Sequence, residues 1–286
     1  MLMRILVVNA GSSSLKSQLI ETDGKVSLMK CLAEKVGTPD AYMNVSFAPD
    51  FQKATYRVAD MTVAECLKKL LEVLVDDPES PISDLSQIDA IGNRIVAGGE
   101  YFTKSVIIDE SAREKLELCE ELAPLHNPPA DACIDMMAAL MPNTPQVAVF
   151  DTAFHATMPA KAYMYPLPAR YYDDYRIRRY GAHGTSHQYV SQRTAELMGK
   201  DIADTRIITC HLGNGASITA VKGGKCVNTH RPGMGPAPRD WVITILRPVR
   251  IPLPTGATAL EIHEMNRHSR KNGGNVAKNR REGKAL

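Results

Sequence analysis

The sequence predicts an α/β protein built from two related domains. Two strands flanking a Gly/Ser-rich turn occupy residues 4–20, and two strands flanking a glycine-rich turn recur at residues 207–221. Between these pairs, apolar runs of strand length alternate with stretches of helical period, the pattern of an α/β chain. The 286 residues are 44% hydrophobic and 23% charged, enough for a sizeable core, which excludes disordered, collagen-like and coiled-coil classes.

In chain order, Arg4-Ile5-Leu6-Val7-Val8 is an apolar run stopped by Asn9-Ala10-Gly11-Ser12-Ser13-Ser14. Leu15–Ile20 resumes with partial alternation and Asp23-Gly24 marks a turn, so the segment predicts a β-hairpin with a polar tip. Val63, Cys66, Leu67, Leu70, Leu71 and Leu74 fall on one stripe, predicting a helix over 62–75. The same period predicts helices over 110–122, 129–140 and 186–198. Short apolar runs predict strands at 88–96, 106–108 and 147–150. Ile207–Cys210 and Ser217–Val221 form the second strand pair, around His211-Leu212-Gly213-Asn214-Gly215.

Composition breaks near residue 230. Residues 1–229 carry 23 Lys+Arg against 28 Asp+Glu, whereas residues 230–286 carry 11 against 4, with 6 of the 18 prolines, 6 of the 19 glycines and no Phe or Tyr. This sets expected boundaries at 1–150 for a first domain, 151–229 for the start of a second, and 230–286 for a basic tail. That tail lacks the apolar content to order itself. A net charge of +2 argues against a nucleic-acid or membrane partner, and the tail lacks the aromatic interleaving of a nucleic-acid binder. The six cysteines are scattered singly, without metal-site spacing, and read as buried free thiols. No secretory signal or membrane-length apolar stretch is present, so a reduced, cytoplasmic setting is expected.

The tip Asn9–Ser14 places small residues at a strand end, where backbone N–H groups and the hydroxyls of Ser12 and Ser14 can approach a phosphate, with Lys16 as a point charge. Alone, such a tip reads as a plain hairpin turn. Its recurrence as His211-Leu212-Gly213-Asn214-Gly215 at the equivalent point of the second strand pair favours two loops directed at a nucleotide's phosphates. Asp151 closes the apolar strand 147–150, where side chains emerge from a sheet edge. Arg94 offers a planar fork suited to a carboxylate, and Gly98-Gly99 nearby would allow close approach.

Six ordered motifs now make a family resemblance specific. Asn9–Lys16, Arg94–Glu100, Ala123–Pro128, Val149–His155, Arg178–His187 and Cys210–Gly215 together resemble the acetate kinases. The resemblance implies the actin-like, sugar-kinase-like ATPase fold of duplicated ribonuclease H-like domains, and transfer of the ATP γ-phosphate to acetate with Mg²⁺ or Mn²⁺. It implies that Arg94 binds acetate, that Val96, Leu125 and Ala182 line the pocket for its methyl group, and that Asp151 and His183 are catalytic. Asp151 is an acid/base in family descriptions. Acetate is already ionised at pH 7, so holding the Mg²⁺ shell with Asn9 is the physically stronger role. His183 stabilises the transition state by resemblance; the alternative is a helix-capping turn closed by Thr185 or Ser186. His126 and His155 divide between packing and site contact. Full-length relatives are implied to be homodimers, and propionate is a second candidate substrate.

The chain also departs from the family pattern. Asn93 and Ala97 stand where the family has His, which is expected to weaken the support of Arg94. The motifs Gly-Thr-Arg-x-Gly-Asp-x-Asp-Pro-Ala and Gly-Gly-Ile-Gly-Glu-Asn are absent. Reading Asp240–Pro248 one base out of frame permits Leu-Gly-Asp-Tyr-Asp-Pro-Ala-Thr, because Trp is TGG and Val begins GT. Residues after about 229 therefore read as an out-of-frame tail, and an inactive truncated fragment is the competing functional expectation.

Overall fold

A computed structural model of the chain describes residues 2–57, 60–213, 215–230 and 242–245. It divides into two units, Met1–Ala153 and Phe154–Leu286.

The first unit opens with β1 (Arg4–Ala10), β2 (Ser14–Glu21) and β3 (Val26–Glu34), followed by β4 (Tyr42–Phe47) and β5 (Ala54–Arg57). Alternation decides which face is inside: Leu6 and Val8 of β1 and Leu15, Ser17 and Leu19 of β2 are buried together. Helix α1 (Val63–Asp76) begins on a reciprocal cap, in which Thr62 Oγ1 accepts the Glu65 N–H and the Glu65 carboxylate accepts the Thr62 N–H. It buries Cys66, Leu67, Leu70, Leu71, Val73 and Leu74, close to the predicted stripe. The unit continues through β6 (Ala90–Ile95), β7 (Val106–Ile107), α2 (Glu110–Leu118), α3 (Asn127–Leu140) and β8 (Gln146–Phe150). Its strands run in the order β5-β4-β3-β2-β1-β6-β8-β7. Strands β1, β6 and β8 are parallel, so their C-terminal ends lie at one edge of the sheet.

The second unit carries α4 (Ala160–Tyr163), α5 (Arg170–Tyr175) and α6 (Gly184–Leu197), then β9 (Arg206–Leu212), β10 (Ala216–Lys222), β11 (Lys225–His230) and β12 (Val242–Ile245). Its sheet order is β11-β10-β9-β12, with β9–β10 and β10–β11 antiparallel and β12 parallel to β9. This repeats β3-β2-β1-β6 of the first unit, strand for strand and direction for direction. The duplication read from two glycine turns is thus present in the topology.

Several elements differ from expectation. The helix expected over 110–122 stops at Leu118 and is followed by a tight turn at Glu120–Leu122, which ends at Ala123, where Pro124 disfavours helical backbone. Strands β3, β4, β5 and β11 and the short helices α4 and α5 were not expected. In β3 the buried positions are Met29, Cys31 and Ala33, which give little strand signal. Residues 230–286 were expected to be without structure, yet His230 closes β11 and Val242–Ile245 form β12. Four consecutive β-branched residues meeting the edge of β9 account for that strand. The rest of the expected tail, residues 231–241 and 246–286, lies outside the described residues, as does Asn214. Among the described residues no helix is long and apolar enough to cross a membrane.

Candidate active site

In the first unit the three parallel strand ends deliver Asn9, Arg94 and Asp151 to one cluster. The β1–β6 register pairs Val8 with Asn93, which sets Asn9 level with Arg94, and the β6–β8 register pairs Arg94 with Val149, which sets Asp151 two residues further on and on the same face as Arg94. Arg94 donates from Nε to Asp151 Oδ1 at 3.2 Å and from Nη2 to Asp151 Oδ2 at 2.6 Å, a bidentate fork. Its Nη1 donates to Asn9 Oδ1 at 3.1 Å. The Asp151 side chain is 1% exposed and that of Arg94 35% exposed, so the cation forms the open side of the pair. Burial opposes the charge on Arg94, but the hydrogen bonds and charge of Asp151 outweigh it and hold the guanidinium above its ordinary pKa.

The loops around this cluster are fixed from behind. Lys16 lies directly across the hairpin from Asn9, on the same face, and is exposed. Ser12 is exposed and Ser14 half-buried at the tip, which is closed by the Gly11 N–H donating to the Ser14 carbonyl at 2.8 Å. Val96 is half-buried just beyond β6, and Leu125 is 73% exposed. Between them, the buried amide of Asn127 accepts the Ala97 N–H and donates to the Ala97 and Cys119 carbonyls. Thr152 Oγ1 accepts the Gly98 N–H at 2.9 Å. Sequence reasoning missed Asn127 and Thr152; the signal available was an Asn ahead of Pro128-Pro129 at a helix start.

One expectation about this region is corrected and another gains a physical reason. Gly98 and Gly99 are required by the protein's own packing. A Cβ on Gly98 would lie 2.7 Å from Phe150 and 2.9 Å from Phe102, and Gly99 has φ +58°, so they serve core packing and a left-handed turn. Asn93 does not support Arg94 from beside it. Successive strand residues face opposite sides, and Asn93 is buried with its Nδ2 donating to Gln146 Oε1 at 2.9 Å.

In the second unit the candidate residues assemble around histidine rings. His183 stands at the N-cap of α6 with φ +58° and ψ +28°, a left-handed conformation for a residue with a Cβ. No side chain caps that helix end; Ser186, expected as a cap, instead meets His211 Nδ1 at 3.1 Å. His183 stacks on His211 with ring centroids 4.1 Å apart, and its Nδ1 lies 2.8 Å from Ser217 Oγ. Ser217 Oγ is also 2.8 Å from Nε2 of the fully buried His187, whose Nδ1 is 2.6 Å from Thr209 Oγ1. Burial, with the neighbouring histidines, pushes His187 down to about 3, so it is neutral near pH 7. Leu212 is half-buried at the end of β9, and Gly213 and Gly215 are exposed, with the Gly213 N–H donating to the Gly215 carbonyl at 3.1 Å.

His155, one of the two histidines left between packing and contact, is fully buried. Its Nε2 donates to the Ala182 carbonyl at 2.9 Å, and its Nδ1 lies 3.2 Å from Cys226 Sγ. It therefore holds the turn that presents His183. His126 is exposed at the start of α3. All six cysteines are unpaired, five of them buried. Among the described residues no group of three or more His, Cys, Asp or Glu could hold a metal ion.

Comparisons with known proteins identify the company this arrangement keeps. A family model described as the Acetokinase family matches residues 4–245. The acetate kinase of Caldanaerobacter subterraneus subsp. tengcongensis is 52% identical over 227 residues, 79% of this chain and 56% of the relative. That of Clostridium kluyveri is 47% identical over 269 residues, 92% of this chain and 65% of the relative. Among solved structures, Porphyromonas gingivalis acetate kinase superposes with a TM-score of 0.75 at 41% identity, over 82% of this chain and 59% of that one. A propionate kinase from Francisella tularensis gives 0.74 at 40%, over 80% and 57%. The chain thus spans 56–65% of the length of these curated relatives. By family match, by identity across most of its length, and by the α/β fold it shares with these kinases, the chain belongs to the acetokinase family.

Proposed function

We propose that this chain takes part in transfer of the ATP γ-phosphate to acetate, giving ADP and acetyl phosphate. The observation that carries the reading is the Asn9–Arg94–Asp151 cluster at the ends of three parallel strands, in a chain related to acetate kinases. Phosphoryl transfer asks a protein mainly to position donor and acceptor and to neutralise spreading charge.

Arg94 binds the acetate carboxylate in this reading. Three of its five N–H groups are spent on Asp151 and Asn9, and two remain for a carboxylate. Asp151 anchors the fork and does not act as a base: both its oxygens already accept charge-assisted hydrogen bonds, and the acetate nucleophile has no proton to lose. Asn9 and Asp151 offer hard oxygen donors that suit Mg²⁺, an ion that keeps several waters and completes its shell from phosphate. Because Arg94 engages both carboxylate oxygens, these residues would hold the ion through their remaining lone pairs or through its waters. Bound there, Mg²⁺ would supply charge neutralisation on the phosphate oxygens. Lys16, Ser12 and Ser14, the loop 211–215 and His183 are assigned to the ATP phosphates and the transferred group. The unpaired thiols support a cytoplasmic setting.

The test is acetyl phosphate formation by the full chain from ATP, acetate and Mg²⁺, trapped as the hydroxamate. Activity is expected, with Arg94→Ala lowering kcat/KM by about 10²–10³-fold. A folded chain that forms none would overturn the reading in favour of an inactive fragment. The similarity to a propionate kinase supports propionate as a second acceptor. One methylene is worth about 1–3 kcal/mol in such a pocket, so the two acids are expected to differ by roughly 10–200-fold at most.

A further inference from the structure

A file of hydrogen bonds runs through the interior of the second unit and ends on His183. Thr209 Oγ1 lies 3.5 Å from the Thr219 carbonyl and 2.6 Å from His187 Nδ1, while Ser217 Oγ lies 2.8 Å from both His187 Nε2 and His183 Nδ1. Each hydroxyl has one proton to give, and a carbonyl only accepts. If Thr209 donates to Thr219, it must receive the proton on His187 Nδ1. His187 is buried and neutral, with a single N–H, so its Nε2 accepts from Ser217. Ser217, its proton spent, then receives the N–H of His183 Nδ1. Run the other way, the file leaves the contact between Thr209 and the Thr219 carbonyl without a proton. Of the two directions, the first makes each of these four contacts a hydrogen bond.

We propose that Ser217, His187 and Thr209 are positioning residues that hold His183 as its Nδ1–H tautomer, so that Nε2 is the nitrogen presented to the transferred phosphoryl group. Two further features fix the ring. His211 stacks on its face at 4.1 Å, and a Cβ built on Gly215 would fall 3.4 Å from Nε2, so that edge is directed at the loop 211–215. The buried His155 anchors the turn from behind through the Ala182 carbonyl. When the ring takes a second proton it does so at Nε2, on the loop side, and the imidazolium becomes an N–H donor there. The tautomer rests on the hydrogen-bond geometry and on the neutrality of the buried His187; only the final clause of the proposal rests on the kinase reading.

The experiment is long-range ¹H–¹⁵N NMR of the full chain labelled with ¹⁵N-histidine, with His183→Gln identifying the His183 signals. The neutral ring is expected to carry its proton on Nδ1. Ser217→Ala is expected to release it to the Nε2–H form that imidazole side chains favour in water, and Ser217→Thr to retain Nδ1–H. Thr209→Val, which keeps shape and removes the hydroxyl, supplies the same release should Ser217→Ala fail to fold. An Nε2–H ring in the unaltered chain overturns the proposal, as does an unchanged tautomer in both hydroxyl-deleted variants. If the chain forms acetyl phosphate, Ser217→Ala should lower kcat by about 10²-fold with KM for acetate unmoved and Ser217→Thr should restore it; an equal fall in both overturns the role in catalysis. A chain without kinase activity that keeps the Nδ1–H ring leaves the file standing and removes the kinase reading alone.

Discussion

Arg94 and Asp151 illustrate how a single pair can be both foundation and tool. The carboxylate is nearly inaccessible and a guanidinium grips both its oxygens, which offsets the cost of burying its charge, whereas the guanidinium keeps about a third of its surface open. Removing the cation should therefore cost more than lost binding. Arg94→Ala takes the guanidinium away from a buried carboxylate and is expected to destabilise the first unit by about 3 kcal/mol, the lower end for a broken buried pair because Arg94 is partly hydrated. Arg94→Leu combined with Asp151→Leu removes both charges and should recover most of that loss while remaining inactive. Urea denaturation followed by circular dichroism checks both, and equal destabilisation of the single and double variants would show that the pair does not carry the cost. Asn93 marks the opposite situation on the other face of β6. Its Oδ1 is buried without a partner, a defect worth about 1–3 kcal/mol in the strand that delivers Arg94.

The turn before α6 depends on a glycine more strictly than on any side chain around it. Gly181 has φ +87°, and a Cβ there would fall 2.3 Å from the His155 ring, whose own hydrogen bond holds Ala182. Gly37 provides the internal control, with φ +79° and nothing within 4 Å of the added atom. Gly37→Ala should cost about 1–2 kcal/mol, the left-handed penalty alone. Gly181→Ala should cost distinctly more and displace His183, read as a lower melting temperature and as loss of the His183–Ser217 contact in the imidazole spectrum. Similar costs for the two would mean that His155 does not constrain the turn. Such a turn is only partly legible in a chain of letters. The hairpin tip, the α1 stripe and the glycine pair around His211 announce themselves through local period and composition, and so did the strand ends bearing Asn9, Arg94 and Asp151. What stayed hidden was non-local. That Asn127 clamps the loop after β6, that Ser217 joins two histidines 30 and 34 residues away, and that Gly98 packs on Phe150 all depend on contacts between elements distant in sequence. Strands β3 and β4 escaped because they are placed by pairing to a neighbour, which overrides weak intrinsic preference.

Among the described residues the two units repeat one topology with different cores, and that difference should govern how the described sheets open. In the first, a cluster from Leu6 through Met29, Met43, Leu67 and Leu70 to Met137 is continuous across the sheet and helices α1 and α3, with a second cluster around Ile95, Phe102 and Phe150. In the second, the apolar cluster among the described residues is Ala195, Ile207 and Val221, with Phe154 and Ile202 against it. Among the described residues the other buried positions include Met158, Ile208 and Cys226, together with the polar His155, His187, Ser191, Thr209, Ser217, Thr219 and Thr229. Apolar burial contributes about 25 cal/mol per Å², and hydrogen-bonded polar groups contribute far less net, so the second unit is expected to be the weaker. Native-state hydrogen exchange should find amides of β9 and β10 opening at lower free energy than those of β1 and β2. Acid should widen the gap. An exposed His titrates near 6.5, and burial lowers His187 to about 3 in the folded chain. Its contribution is complete above 6.5 and is lost as pH falls toward 3, because only the unfolded chain takes up the proton. Relative to His187→Gln, the second unit should therefore lose about 1 kcal/mol between pH 6 and 5, while the first unit shows no such difference. Uniform protection across both sheets, or a pH response unaltered by His187→Gln, would contradict this division of stability.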